Sequence, residues 1–576
     1  MVEPFPPWWE QYPGRLEWEI GALEAAGITV TLNEAKRESE MVIELALGIP
    51  AVHTGVGDMQ MLATFPDYYP FALPEVRAPG LALDLHQHPF GKNLCLIGRS
   101  SDQWTTEDRL AGLITGQLAT ALRLGSTGGG GDDEIDQGEP FSAYYSYAPD
   151  AAVLVDSAWV FPKGVKCGNV DLLAGAYAGA DQGSLWVLPT ALKAGSLGTF
   201  ASTSPAVRQL FSGVELSGRW TLLPAPVRSD DARDLWREAS RLDERDPETQ
   251  TGLGNPNQFR LVAFPEQHHR GEEPGIGWVL LMTIRRIPMK GPPRVKPRRR
   301  PLNPSDDVRL IRAVRAGETD LAARLPARLS PLRGKHVAVI GLGALGSTVA
   351  VQLAKSGVGG LTLLDRDILE PGNSSRHACG TPQAGLSKAR AVEVLARSHN
   401  PFVELEPCVF ALGDRATDAD LRQKLAEIYD EADLVIDASA EVGVQELTAH
   451  LARSTRTDWL MVEAENGAWG GTSVYIPGDA DACFSCLQWH RVDGTIPIPH
   501  AEDTDPIQPV GCAEPTFTGA SYDLDEVSLQ AVRTAVGALL GEAVLGVDTV
   551  VLREDGKPCL PQWSHHEIAP HDQCRH

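Results

Sequence analysis

The chain predicts a multidomain protein of mixed class, with an amino-terminal α+β unit, a β-rich middle region and a carboxy-terminal doubly wound α/β domain. The first observation behind this is length. At 576 residues the chain exceeds what one hydrophobic core organises, and about 100–200 residues per domain gives three or four units. The second is a pair of composition breaks: a Gly- and Asp-rich stretch from Gly125 to Gln137, and a Pro/Arg-rich stretch at 290–304 with five prolines at 292, 293, 297, 301 and 304. The third is the regular alternation of strand-like and helix-like segments beyond residue 330, which implies a mostly parallel sheet.

In chain order, residues 8–26 carry aromatic and apolar positions at helical spacing, and Ile28–Leu32 and Met41–Leu47 read as strands. An irregular cysteine-bearing segment follows, then a helix from about Thr105 to Leu124, which closes a first domain at 1–124. The linker at 125–140 is a flexible coil with a span of roughly 20 Å. Residues 141–289 hold short β-rich runs at Val153–Val155, Ser184–Leu188 and Trp278–Ile284 and no catalytic motif; only their position resembles that of an inactive adenylation-like or docking domain in bacterial fusion proteins. The Pro-rich segment 290–304 is a semi-extended spacer. The last domain, 305–576, should open with a helix at Asp307–Ala323. Strands at His336–Ile340, Gly360–Leu364, Val403–Phe410 and Leu434–Asp437 then alternate with helices at Gly346–Lys355, Ser387–Ser398 and Ala419–Tyr429.

Composition narrows the function classes. Fifty-one Lys+Arg against 76 Asp+Glu give a net charge of −25, whose field disfavours a broad nucleic-acid interface. No apolar run is long enough for a membrane span and the start is not a signal peptide, so a cytoplasmic protein is expected. Nine cysteines, sparse and odd in number, point to thiol chemistry or metal binding rather than a disulfide framework.

A nucleotide site is legible where the strand ending at Ile340 runs into Gly341-Leu342-Gly343-Ala344-Leu345-Gly346. Glycines here let backbone approach phosphates at a helix N-terminus. Asp365 ends the next strand and suits ribose hydroxyls. By itself this fingerprint also fits a dehydrogenase. The ordered set that follows discriminates: Asn373-Ser374-Ser375-Arg376, then Gly385-Leu386-Ser387-Lys388, then Asp437-Ala438-Ser439. It resembles the adenylation motif of ThiF and ubiquitin-activating enzymes. The resemblance implies binding of ATP and Mg²⁺, with Arg376 and Lys388 neutralising phosphate charge, Asn373 bonding the phosphates and Asp437 holding the metal.

Two cysteines complete the picture. Cys512 lies in a Gly/Pro-flanked loop, Pro509-Val510-Gly511-Cys512-Ala513-Glu514-Pro515, ahead of a helix from about Leu524 to Leu540; a thiolate there could take an acyl group from an adenylate. Cys95 follows Phe65-Pro66-Asp67-Tyr68-Tyr69-Pro70 and His88-Pro89-Phe90-Gly91-Lys92-Asn93 and precedes Trp104. That order resembles a ubiquitin-conjugating enzyme. Phe90 stands where that family has asparagine, which leaves the oxyanion role to Asn93. Cys483-Phe484-Ser485-Cys486 has the spacing of half a zinc site, which Cys559 and Cys574 or the nearby histidines could complete with structural Zn²⁺.

The whole chain resembles the conjugating-activating fusions of CBASS antiphage operons. That resemblance implies a transferase in which a modifier supplied in trans is adenylated, passed to Cys512, then to Cys95, and conjugated to a target protein amine. The modifier would be a cGAS-like nucleotidyltransferase or a ubiquitin-like protein, and the adenylation domain would work as a homodimer. A sulfur-carrier-activating adenylyltransferase of thiamin or molybdopterin type, or a non-catalytic scaffold, is the alternative.

Overall fold

Pro13 cannot donate a backbone hydrogen bond and its ring clashes with the preceding helical turn. The expected helix over 8–26 is accordingly two helices, Trp8–Gln11 and Arg15–Ala25, in the computed structural model of the chain. The structure describes residues 5–96, 104–125, 140–177, 184–243, 258–266, 275–284, 307–412, 419–503 and 518–575. The linkers at 125–140 and 290–304 lie almost wholly outside these residues. The chain divides into two compact units, one of Met1–Thr203 and Ser212–Gly317, the other of Ser204–Phe211 and Glu318–His576.

The first unit opens with an antiparallel four-stranded meander: β1 (Thr29–Leu32), β2 (Ile43–Ile49), β3 (Met59–Phe65) and β4 (Glu75–Arg77). A helix not foreseen, Glu34–Glu40, is capped by Asn33, whose side chain accepts from the Lys36 amide. Helices Arg15–Ala25 and Leu110–Gly125 cover the sheet through Leu16, Leu23, Leu110, Ile114 and Leu118. Buried Glu19 ties the layers together: it accepts from the Tyr69 hydroxyl and, at 3.0 Å, from the Leu110 amide. The Trp104 indole donates to the Pro70 carbonyl at 2.9 Å, so the two ends of the aromatic motif meet.

The middle region is a closed β-barrel. Its strands are β5 (Ala151–Val155), β6 (Cys167–Gly175), β7 (Leu185–Ala194), β8 (Gly198–Ala201), β9 (Val214–Leu222), β10 (Phe259–Glu266), β11 (Gly275–Ile284) and β12 (Asp307–Arg315). They run in the order β5-β12-β11-β10-β9-β6-β7-β8, and β5 also pairs with β7, which closes the ring with β8 appended. Neighbours are mostly antiparallel. This overturns the adenylation-like reading of 141–289, which requires parallel strands joined by helical crossovers. It also corrects the expected helix at Asp307–Ala323. Residues 307–315 form β12, which belongs to this barrel, and only Glu318–Ala322 is helical. Alternation explains the interior: Leu261, Ala263 and Leu280 pack inward with Trp220 and Trp278, while Val262, Phe264, Val279 and Leu281 meet the helix Ala232–Leu242 outside.

The second unit follows the predicted alternation closely. Strands β13 (His336–Ile340), β14 (Gly360–Leu364), β15 (Glu404–Cys408), β16 (Leu434–Asp437), β17 (Asp458–Ala464), β18 (Gly470–Ile476), β19 (Gly546–Glu554) and β20 (Lys557–His566) form one sheet. The order is β15-β14-β13-β16-β17-β18-β19-β20, parallel as far as β17 and antiparallel beyond. Helices Ala344–Lys355, Lys388–His399 and Ser521–Leu539 cover one face. Ala419–Glu431, Val442–Thr455 and Phe484–Val492 cover the other. Strand order reverses between β14 and β16 on either side of β13, which is the position where doubly wound sheets bind ligands.

Candidate active site

A cavity opens beyond the carboxyl ends of β13, β14 and β16, walled by Gly341, Gly343, Arg376, Lys388, Ser439 and Glu441 among others. The glycines answer to distinct contacts. Gly341 has φ of +80°, and a Cβ there would lie 2.6 Å from Ser439 backbone; at Gly346 it would lie 1.9 Å from the Gly341 carbonyl oxygen. Around Gly343 there is open space, which leaves its backbone accessible from the cavity.

Asp365 is buried, and its Oδ2 accepts from the Leu342 amide at 2.7 Å while Oδ1 accepts from the Asp367 amide at 2.7 Å. It therefore shapes the glycine turn as well as lining the cavity. Arg376 and Lys388 both reach the cavity. Burial lowers the Arg376 guanidinium from its ordinary pKa, and Lys388 Nζ lies 2.7 Å from Asp367 Oδ2. Asn373 is turned to local work: its side-chain oxygen accepts from the Glu370 amide at 2.9 Å, and it does not line the cavity.

Asp437 departs from expectation. Its side chain is wholly buried and absent from the cavity wall. Oδ1 accepts from the Ser439 amide at 2.9 Å and from Ser439 Oγ at 2.7 Å, and Oδ2 from Thr448 Oγ1 at 2.6 Å. Burial raises its pKa against these bonds. The carboxylates presented to the cavity are those of Asp365, Asp367 and Glu441.

Sequence reasoning missed His377 and Glu441. Burial pushes the His377 imidazole down to about pKa 4, so it is neutral and can brace the turn through Leu342. Its only sequence signal is its place directly after Arg376. Glu441 is marked only by preceding the helix Val442–Thr455.

Cys95 is half-buried, and its amide donates to the His86 carbonyl at 2.8 Å. Both flanks of the segment carry left-handed backbone, at His86 (φ +59°) and Lys92 (φ +60°). His88 Nδ1 accepts from the Phe90 and Gly91 amides at 3.2 and 2.9 Å, which shapes the turn before Cys95. The Asn93 amide donates to Glu75 Oε2 at 3.1 Å. Cys512 lies outside the described residues.

The thiols of Cys483, Cys486 and Cys574 converge: the first lies 3.8 Å from the second and 3.5 Å from the third. Bonds of about 2.3 Å to a tetrahedral zinc place sulfurs about 3.8 Å apart, so the trio fits that ion. Burial pushes the Cys483 thiol up to about 11. Cys559 is not part of the group; it sits on β20 with its Sγ toward the Val551 carbonyl at 3.7 Å.

The reversed strand order, the glycine turn, and an arginine and a lysine on one cavity define an adenylation domain of the ThiF type. Residues 319–543 match the ThiF family model. The uncharacterized protein y4oA of Sinorhizobium fredii is 28% identical over 98% of this chain and 97% of its own length. A second uncharacterized protein of that organism, y4qC, is 31% identical over 89% of this chain and 88% of its own. The ATP-dependent ubiquitin transferase-like protein Cap2 of Enterobacter hormaechei is 27% identical over 53% of this chain and 54% of its own. The chain belongs to the family of y4qC, bacterial ThiF-type, ubiquitin-activating-like fusion enzymes. No helix among the described residues is long and apolar enough to cross a membrane.

Proposed function

We propose that the protein activates the C-terminal carboxylate of a modifier protein with ATP and conjugates it to a target amine. The observation that carries this reading is the approach of Arg376 and Lys388 to the cavity formed by the glycine turn. The carboxylate oxygen attacks the α-phosphorus of ATP and pyrophosphate leaves, giving an acyl-adenylate. Negative charge concentrates on the phosphate in that transition state, and two fixed cations beside it stabilise it. Mg²⁺, when bound, neutralises the triphosphate.

The Cys512 thiolate then attacks the acyl carbonyl and AMP leaves. The Cys95 thiolate displaces Cys512, and a target amine displaces Cys95 with loss of its proton, Asn93 supplying a donor to the oxyanion. The half-buried Cys95 and the left-handed backbone at His86 and Lys92 ahead of it support its role as the second acceptor. Likeness to Cap2 supports a place in CBASS antiphage defence; a cGAS-like nucleotidyltransferase as modifier and a homodimer as the working form complete the proposal. Structural zinc is assigned to Cys483, Cys486 and Cys574.

ATP–pyrophosphate exchange tests the reading. Arg376→Ala and Lys388→Ala should each slow modifier-dependent exchange by about tenfold to a thousandfold. Unchanged exchange in both variants would remove the adenylation assignment.

A further inference from the structure

The cavity and the aspartate behind it disagree about where a divalent cation would sit. Mg²⁺ keeps most of its water and takes one or two carboxylates together with substrate phosphate oxygens, so its protein ligand must face the phosphates. Asp437 does not. Its side chain is fully buried and both oxygens are engaged, by Ser439 on one side and by Thr448 on the other. Thr448 Oγ1 also accepts from the Trp459 indole at 3.1 Å and lies 3.1 Å from the Gln445 carbonyl, so the shorter contact to Asp437 is part of a buried network. Moving this carboxylate to a metal would break three hydrogen bonds, two from the half-buried Ser439 and one from the buried Thr448.

The same bonds point outward to a different carboxylate. Ser439 Oγ accepts from the Glu441 amide at 3.3 Å, so Asp437 organises the turn that leads to Glu441. Within it Ala440 is held at φ +58°, a left-handed conformation that a non-glycine residue adopts only when its surroundings impose it. That turn puts Glu441 on the cavity wall at the start of the helix Val442–Thr455. Its side chain is 40% exposed, and it meets Arg366 at 3.5 Å. An exposed ion pair of that length is weak, so a doubly charged cation can displace the guanidinium.

We propose that Glu441 is the carboxylate that meets the nucleotide's divalent cation, and that Asp437 is a positioning residue acting on it through Ser439. The assignment rests on the adenylation reading above. It explains why the sequence pattern ends its strand in an aspartate that the fold then withdraws from solvent.

The experiment measures ATP affinity of the full chain by calorimetry with EDTA and with Mn²⁺, and records the Mn²⁺ resonance signal with ATP bound. Glu441→Gln should lose at least tenfold of the Mn²⁺-dependent gain in ATP affinity, taken as the ratio of its own Mn²⁺ and EDTA values, and keep its melting temperature. Glu441→Asp should recover part of the gain. Asp437→Asn should lower the melting temperature and reduce the gain only in part. A wild-type Mn²⁺ response in Glu441→Gln overturns the assignment, as does complete loss of response in Asp437→Asn at unchanged melting temperature. Absence of ATP binding in the wild type would overturn the adenylation reading as well.

Discussion

The His377 imidazole donates from Nε2 to the Leu342 carbonyl at 2.8 Å, and its Nδ1 accepts from the Cys379 amide at 3.0 Å. Since Asp365 takes the Leu342 amide, the middle residue of the glycine turn is held from both sides. The neutral, Nε2-protonated tautomer alone satisfies both histidine contacts.

That tautomer makes the domain acid-sensitive. Burial lowers the His377 pKa from 6.5 to about 4. The unfolded chain therefore binds more protons in this interval, and stability present above pH 6.5 is lost as pH falls toward 4. Relative to pH 7, the loss should be about 2 kcal/mol by pH 5, from the linkage relation. Denaturant unfolding of wild type and His377→Gln at both pH values measures it. A pH dependence identical in the two proteins would remove the histidine as its source.

Gly346→Ala should abolish nucleotide binding. The added methyl would stand 1.9 Å from the Gly341 carbonyl oxygen, which is backbone and cannot rotate away. Overpacking of this kind destabilises by about 1–3 kcal/mol and would shift the turn itself. Gly343→Ala meets no atom within 4 Å and should fold normally, so a lowered melting temperature in the first variant and an unchanged one in the second is the expected pair.

Metal analysis should find about one zinc per chain, because structural zinc sites contribute directly to folding. Cys483→Ser and Cys574→Ser should lose it and melt earlier. Cys559→Ser should retain it, since that thiol lies apart on β20. Zinc loss from Cys559→Ser alone would reverse the ligand assignment.

The proposed relay implies an order that variants can read. With modifier and ATP, Cys512→Ala should abolish reductant-sensitive adducts at both thiols, because the adenylate has no first acceptor. Cys95→Ala should keep the adduct on Cys512 and lose transfer to amines. Normal charging of Cys95 in Cys512→Ala would mean that the adenylate passes straight to the amino-terminal domain.

Local pattern alone determined the doubly wound domain. The runs at His336–Ile340, Gly360–Leu364 and Leu434–Asp437 were legible to the residue because a strand buried on both faces is apolar throughout, and the glycine turn because its backbone demands are local. Arg376 and Lys388 were marked by residue type and spacing, and the fold brings both to the cavity.

Tertiary structure decided the rest. Residues 307–315 have apolar side chains at 308, 310, 311, 313 and 314, a spacing compatible with helix or strand, and pairing with β11 and with β5, some 160 residues away, settled it as a strand. Barrel closure depends on such distant pairings, which no window of sequence contains. The same holds at single residues. Asp437 and Glu441 differ by four positions, and Cys559 and Cys574 by fifteen. Which of each pair reaches the site depends on hydrogen bonds to Thr448 and on the path of the chain after β20, and neither is encoded in the neighbours of the residue itself.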